Sequence, residues 1–309
     1  MDLRQLKYFT RIVELESFTV AAESLHIAQP SLSQHVANLE SELDTPLLIR
    51  GPGGVRTTKS GDLLYHHAKM VLRQLDEARA AVKHGRNTPS GHVSFGLPTS
   101  TSRVLAVPLI EAVAREFPEV VLELVEGSNA DLAESVARQR LDLTIAMDVT
   151  QQPTRMQVEP LLDEYLLLVG PPSGSGTSIT LAEVAALPLV LPSFPNSIRL
   201  LAERAFSDAG LAFNLIAETS AVSILLALVR TGRGWTILPA SVLSMSVAEK
   251  GNIEGIPISD RKLTRRASVC LSSSAQQSLA CLAVRTLTVA LVQDMVSAGR
   301  WQGVTLING

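Results

Sequence analysis

The sequence predicts an α/β chain of unequal parts: a small helical domain carrying a strand pair, one long helix, and a larger body of alternating strands and helices. Three observations predict it. Apolar residues recur at helical spacing through the first 43 residues and again over about 60–84. A Gly/Pro-rich turn, "GPGG", separates two short strand-like runs, "LLIR" and "VRTT". From residue 91 strand-like and helix-like segments alternate, which implies a parallel sheet.

The chain has 309 residues, 46% hydrophobic and 18% charged, with a net charge of −3. That size allows two or three domains with sizeable cores. The start, "MDLRQLKYF", has no apolar signal core, and no apolar run of about 18 residues is expected to form a membrane span. Cys270 and Cys281 lie in strand and helix context, where reduced structural thiols are expected. A cytoplasmic protein is the resulting expectation.

Element by element, "LRQLKYFTRIVEL" places Leu3, Leu6, Phe9, Ile12 and Val13 on one helical face. "SFTVAAESL" follows, with Ser17 or Thr19 as N-cap. Ala21 and Ala22 allow close helix approach. "HIA" turns the chain, and Pro30 opens a third helix, where its fixed φ and missing N–H are harmless. In that helix Leu32, Val36, Leu39 and Leu43 point inward. Pro30, Ser33, Gln34, Ala37, Asn38 and Ser41 fall on the opposite face. Two helices joined by a short turn, the second with a small polar outer face, read as helix-turn-helix.

Residues 1–59 carry six Lys/Arg and seven acids, a net of −1, so overall charge does not announce nucleic acid. The distribution does. Residues 24–39 hold no acid, and residues 45–61 hold Arg50, Arg56 and Lys59 with no acid. Base edges in a major groove offer partners to Gln, Ser and Asn, and the hairpin after the polar helix reads as a wing suited to phosphate contact. The candidate DNA-facing residues are Gln29, Pro30, Ser31, Ser33, Gln34, Asn38, Arg50, Arg56 and Thr58. A plain three-helix bundle with a surface hairpin is the competing reading. His26 and His35 are expected beside this face, on phosphate or solvent.

The long helix steps through Leu64, Ala68, Val71, Leu75, Ala78 and Val82 with heptad spacing. This seam predicts pairing with a second copy, against packing on the protein's own body. "KHGRNTPSG" is then expected to end the helix and act as a hinge.

"LKYF", "SFTVAAESLHIAQPSLSQHVANLESEL", "LLIR" and "TKSG", with the long helix, resemble the N-terminal region of LysR-type transcriptional regulators, with wording nearest the nitrogen assimilation control branch. The resemblance implies that Gln29, Pro30 and Ser33 face bases, with Gln34 a further candidate. Two positions depart from the family: Asp44 stands where glycine is usual, and Leu48 where phenylalanine is usual. Asp tolerates the left-handed conformation, so the turn is expected to survive.

The body reads "HVSFGL" (strand), "TSRVLAVPLIEAVAREF" (helix), "EVVLELVEG" (strand), a helix at 129–139 and "LDLTIAM" (strand). "EYLLLVG" starts a second unit, with helices near 197–209 and 221–231. "RRASVCLSS" and a helix near 275–298 return to the first lobe. This resembles the two-lobed periplasmic-binding-protein-like α/β effector domain of the same family. The expected domains are therefore a winged helix-turn-helix at 1–59, a coiled-coil linker helix and hinge at 60–90, and an effector-binding domain at 91–309. Within the last, lobe I spans about 91–161 and 268–309, and lobe II about 162–267.

Such lobes bind ligands beyond the carboxyl ends of their strands. Thr99, Ser100, Thr101 and Ser102 open one helix, Ser128 and Asn129 a second, and Ser193, Asn196 and Ser197 a third. Free N–H groups at helix starts favour an anion, so a small anionic effector is expected. Ordinary N-capping accounts for any single hydroxyl. No cofactor or metal site is expected: His66 and His67 are adjacent on a helix and diverge. G-x-S-x-G, H-E-x-x-H, paired C-x-x-C and P-loop patterns are absent, which argues against an enzyme. The expected partners are double-stranded promoter DNA and further copies of the chain, as a dimer or tetramer. A solute-binding protein is the main alternative, but it would not need the first 90 residues. An effector domain that only assembles, without ligand, is another.

Overall fold

The computed structural model describes residues 1–51, 54–84, 88–149, 156–172, 177–243, 253–273 and 277–307. The chain divides into two compact units, Met1–Gly91 and His92–Gly309.

The first unit contains α1 (Leu3–Leu15), α2 (Phe18–Leu25), α3 (Gln29–Glu42), β1 (Leu48–Gly51), β2 (Gly54–Thr57) and α4 (Lys59–His84). Asp2 and Gln5 form a capping box on α1, and Ser17 caps α2 by accepting from the Val20 N–H. Phe9, Ile12, Ala21, Leu32 and Leu39 are fully buried. Two expectations shift slightly. α3 begins at Gln29 after an Ala28 N-cap that offers no side-chain bond, so Pro30 is its second residue. The missing N–H is still harmless within the first turn. Leu43, expected inside, is the C-cap and lies exposed. Asp44 does adopt φ 47°, as its place in the turn requires.

The wing strands pair antiparallel, with Arg50 opposite Val55. Glu40 holds their root by accepting from the Leu47 and Leu48 N–H groups at 2.7 and 3.1 Å. The Val55 N–H bonds to the Glu16 carbonyl at 2.8 Å. Gly54 makes this approach possible: its φ is +101°, and a Cβ there would meet the Glu16 oxygen at 2.7 Å.

In the second unit, lobe I is built from β3 (Gly91–Pro98), α5 (Thr99–Glu116), β4 (Val120–Gly127), α6 (Asn129–Ala137) and β5 (Leu143–Met147). A 15-residue strand, β6 (Met156–Gly170), then crosses to lobe II. Lobe II holds α7 (Leu181–Ala186), β7 (Leu189–Pro192), α8 (Ser197–Asp208), β8 (Leu215–Thr219), α9 (Val222–Arg230), β9 (Thr236–Pro239), a 3-10 turn (Ala240–Leu243) and β10 (Glu254–Ile256). β11 (Thr264–Ser272) crosses back to α10 (Leu279–Ser297) and β12 (Val304–Leu306).

β3 and β5 run parallel, whereas β11 runs antiparallel to both β5 and β6. The main sheet is therefore mixed, in the order β10-β6-β11-β5-β3-β4. The strand expected to start with "EYLLLVG" begins earlier, at Met156, and belongs to both lobes. Leu162 and Ala267 sit in the lobe I core, Leu166 and Leu263 in that of lobe II. α7, β10 and β12 were not anticipated. α7 had a readable signal, the capping box of Thr180 and Glu183.

α10 is long and apolar enough to cross a bilayer by length and composition alone. It serves as a core helix instead. Ala280, Cys281, Val284, Val292 and Met295 pack into lobe I.

Candidate nucleic-acid interface and interlobe cleft

Gln29, Pro30, Ser31, Gln34 and Asn38 are exposed on α3. The Gln34 amide donates to Asn38 Oδ1 at 2.8 Å, so these two side chains brace one another. Ser33 is half-buried and accepts from Arg50 Nη2 at 3.0 Å. The Arg50 guanidinium lies 4.0 Å over the Phe18 ring. The wing arginine is thus folded onto the domain. Arg56 is exposed on β2.

Thr58 is engaged within the domain. Its hydroxyl donates to the Pro46 carbonyl at 2.8 Å and accepts from the Gly61 N–H at 3.0 Å, capping α4. His35 packs edge-on against Tyr8 at 5.1 Å between ring centres. His66 similarly meets Tyr65.

The expected seam on α4 splits in two. Leu64 packs with Phe9, Leu39 and Leu47, and Ala68 is fully buried, so both belong to the unit's own core. Val71, Ala78 and Val82 are exposed and Leu75 is half-buried. The exposed part of the stripe starts at Val71.

Between the lobes lies a cleft of about 320 Å³. The starts of α5, α6, α8 and α9 all border it. Their combined dipoles favour negative charge there. Thr99, Ser100, Ser128, Asn129, Ser193, Asn196 and Ser197 line it, but Thr101 and Ser102 do not. Thr101 is fully buried on the far side of the first turn, and Ser102 follows it around the helix. Several lining groups are already engaged. Ser128 and Asn196 cap α6 and α8. Asn129 binds both backbone groups of Met147, at 2.9 and 2.6 Å. The N-caps of α5 and α9, Pro98 and Ala221, supply no side-chain bond.

Sequence reasoning missed the cleft floor. Arg265 is 3% exposed and Glu164 1%. Arg265 Nε donates to Glu164 at 2.7 Å and Nη2 to Ser100 Oγ at 2.6 Å. Ser241 Oγ donates to the other Glu164 oxygen at 2.6 Å. One network therefore joins α5 of lobe I, both crossing strands, and the 3-10 turn of lobe II. An alternation signal existed: in "TRRASV" one of two adjacent arginines must face inward. Arg266 is the outward one, bonded to Asp163. Nearby, burial raises the pKa of Asp148, opposed by the Arg266 N–H that it accepts. Phe194 at the cleft rim, half-exposed, was also missed.

Residues 3–62 match the model of bacterial regulatory helix-turn-helix proteins of the lysR family, and residues 86–293 match the LysR substrate binding domain. The chain belongs to the LysR family. It is a DNA-binding transcriptional regulator with an effector-binding domain. The nitrogen assimilation regulatory protein nac of Escherichia coli (strain K12) is 38% identical over 308 residues, 99% of this chain and 100% of that one. Its counterpart from Klebsiella aerogenes is 37% identical over 294 residues, 94% of this chain and 95% of that one.

Among solved structures, a full-length OxyR variant from Pseudomonas aeruginosa aligns with a TM-score of 0.74 at 22% identity, covering 100% of this chain and 99% of that one. Full-length CbnR complexed with its target DNA gives 0.71 at 22% identity, covering 95% and 99%. At such identity the likeness concerns the LysR fold. In this LysR regulator Cys270 and Cys281 are both buried, in different core clusters. Burial pushes the Cys270 thiol up to about 12, so it stays protonated.

Proposed function

We propose that this LysR regulator reads promoter DNA with the Gln29, Pro30, Ser31, Ser33, Gln34 and Asn38 face of α3, while Arg56 and the wing meet the phosphate backbone. The observation that carries this is the exposed, acid-free polar face of α3 beside the wing. Its amides and hydroxyls match base edges, not solvent-exposed helix chemistry. Binding to chromosomal sites places the protein in the cytoplasm. A second copy pairs through Val71, Leu75, Ala78 and Val82, giving a dimer or a tetramer built from dimers. Genes of nitrogen assimilation are the first to examine beside bound sites, given the similarity to the two nac proteins.

Gln29→Ala is expected to cost about 1–3 kcal/mol on a duplex selected by the protein from a random pool. On a scrambled duplex the loss is expected to be small. Fluorescence anisotropy on both duplexes checks this, and equal losses would refute base reading by Gln29.

The cleft, in this reading, takes a small anion at the uncapped starts of α5 and α9, with Thr99, Ser193 and Ser197 as contacts. Saturating anion at about 100 times its dissociation constant should stabilise the effector unit by roughly 2.7 kcal/mol. A thermal-shift screen of carboxylates, phosphates and sulfate on the full chain measures it, repeated with Thr99→Ala. Ser100→Ala is a poor probe, because its hydroxyl bonds the buried arginine and a bond to a charged group is worth about 1.5–3 kcal/mol. One observation favours a second reading, an effector domain that assembles without ligand: Glu164 already neutralises Arg265. If no anion raises the melting temperature, that second reading stands.

A further inference from the structure

Three elements meet at Arg50. It lies on β1, its guanidinium is stacked 4.0 Å over Phe18 at the start of α2, and its Nη2 donates to Ser33 on α3 at 3.0 Å. Phe18 is buried, so the stacking partner is a fixed part of the core. The wing is already pinned at its root by Glu40 and on β2 by the Val55 bond to Glu16. Arg50 adds a tie from the wing strand to the polar face of α3. A guanidinium can make this tie because it is planar: one face stacks on a ring while the edge still donates. A phosphate contact would ask for an extended side chain, and nothing in it requires Phe18.

The consequence for Ser33 is chemical. A hydroxyl has one proton and two lone pairs. Accepting from a cation withdraws electron density from the oxygen and strengthens the hydroxyl as a donor. In the major groove, guanine N7 and O6, adenine N7 and thymine O4 accept, whereas cytosine presents only its amino donor.

We propose that Arg50 is a positioning residue of the DNA-reading surface: it braces the wing against α3 through Phe18 and sets Ser33 as a donor, so that one base of the site is read as an acceptor edge. This rests on the reading of α3 given above. It differs from backbone contact in what a charge-preserving change does. Arg50→Lys keeps the positive charge but loses the stacked, planar fork.

The test compares the wild type, Arg50→Lys and Arg50→Ala on a duplex selected by the wild type from a random pool, and on its scrambled counterpart, across a salt series. Arg50→Lys is expected to weaken the selected duplex about tenfold, the scale of one lost base contact. Its affinity for the scrambled duplex and its salt slope should stay at the wild-type values. Reselection with Arg50→Lys should relax the preference at a single position. Phe18→Leu, which keeps the arginine and removes the ring, should give the same pattern once circular dichroism shows it folded. The proposal is overturned if Arg50→Lys matches the wild type on both duplexes. It is equally overturned if Arg50→Ala loses the same factor on both with a salt slope lower by about one, the mark of a phosphate contact. A wild type that does not distinguish the two duplexes would remove the base-reading assignment itself and this proposal with it; a discriminating wild type with an equally discriminating Arg50→Lys would remove only this proposal.

Discussion

Replacing Glu164 with alanine is expected to destabilise the effector unit by about 3–5 kcal/mol, the usual cost of leaving one partner of a buried ion pair unmatched. Arg265 would keep its charge in a site where it is 3% exposed. Ser100 would remain its partner among the described groups, and Ser241 would lose the carboxylate that it donates to. The expected fall in melting temperature is roughly 6–20 °C, from about 2–4 °C per kcal/mol for a unit of this size. Both tryptophans, Trp235 and Trp301, lie in the second unit, so their fluorescence follows its unfolding within the full chain. The double change Glu164→Leu with Arg265→Met should recover most of the loss, since an apolar pair removes both desolvation costs together. A Glu164→Ala chain that melts within 2 °C of the wild type would show that the network contributes little to holding the lobes.

Leu75→Asp is expected to break the pairing of subunits and to lower affinity for a two-half-site duplex by roughly 10²–10⁴-fold. That is the range lost when two linked binding modules act separately. The position is chosen from the structure. Leu64 and Ala68 are covered by the chain's own helices, so a charge there would unfold the first unit instead of separating subunits. Leu75 is half-buried beyond that contact, flanked along the helix by exposed Val71 and Val82. A carboxylate at a subunit seam would have to be desolvated without a partner. Light scattering gives the mass, and anisotropy on one-site and two-site duplexes gives the affinity. An unchanged mass would move the interface off α4, and a reduced mass with unchanged affinity would separate pairing from DNA binding.

What was legible in the sequence follows the range of the forces involved. The four helices of the first unit were readable because 3.6-residue periodicity, the Ser17 cap and the proline at the head of α3 act within a few residues. The strand and helix alternation of the second unit was readable for the same reason. The exposed polar face of α3 needed only the helical period to separate it from the buried stripe of Leu32, Val36 and Leu39.

Tertiary structure alone decided which neighbour covers an apolar stripe. The heptad on α4 has one period, yet its first two positions belong to the protein's own core and the rest do not. Nothing local distinguishes Ala68 from Ala78. Tertiary structure also decided which polar groups are already partnered. Ser100 and Arg265 are 165 residues apart in sequence and 2.6 Å apart in space. Arg50 and Ser33 are separated by 17 residues and joined across two elements. A hydroxyl's residue type states that it can bond. Whether it remains available to a ligand or to DNA depends on which groups the folded chain brings within about 3 Å of it, and those distances are set by packing, not by sequence spacing.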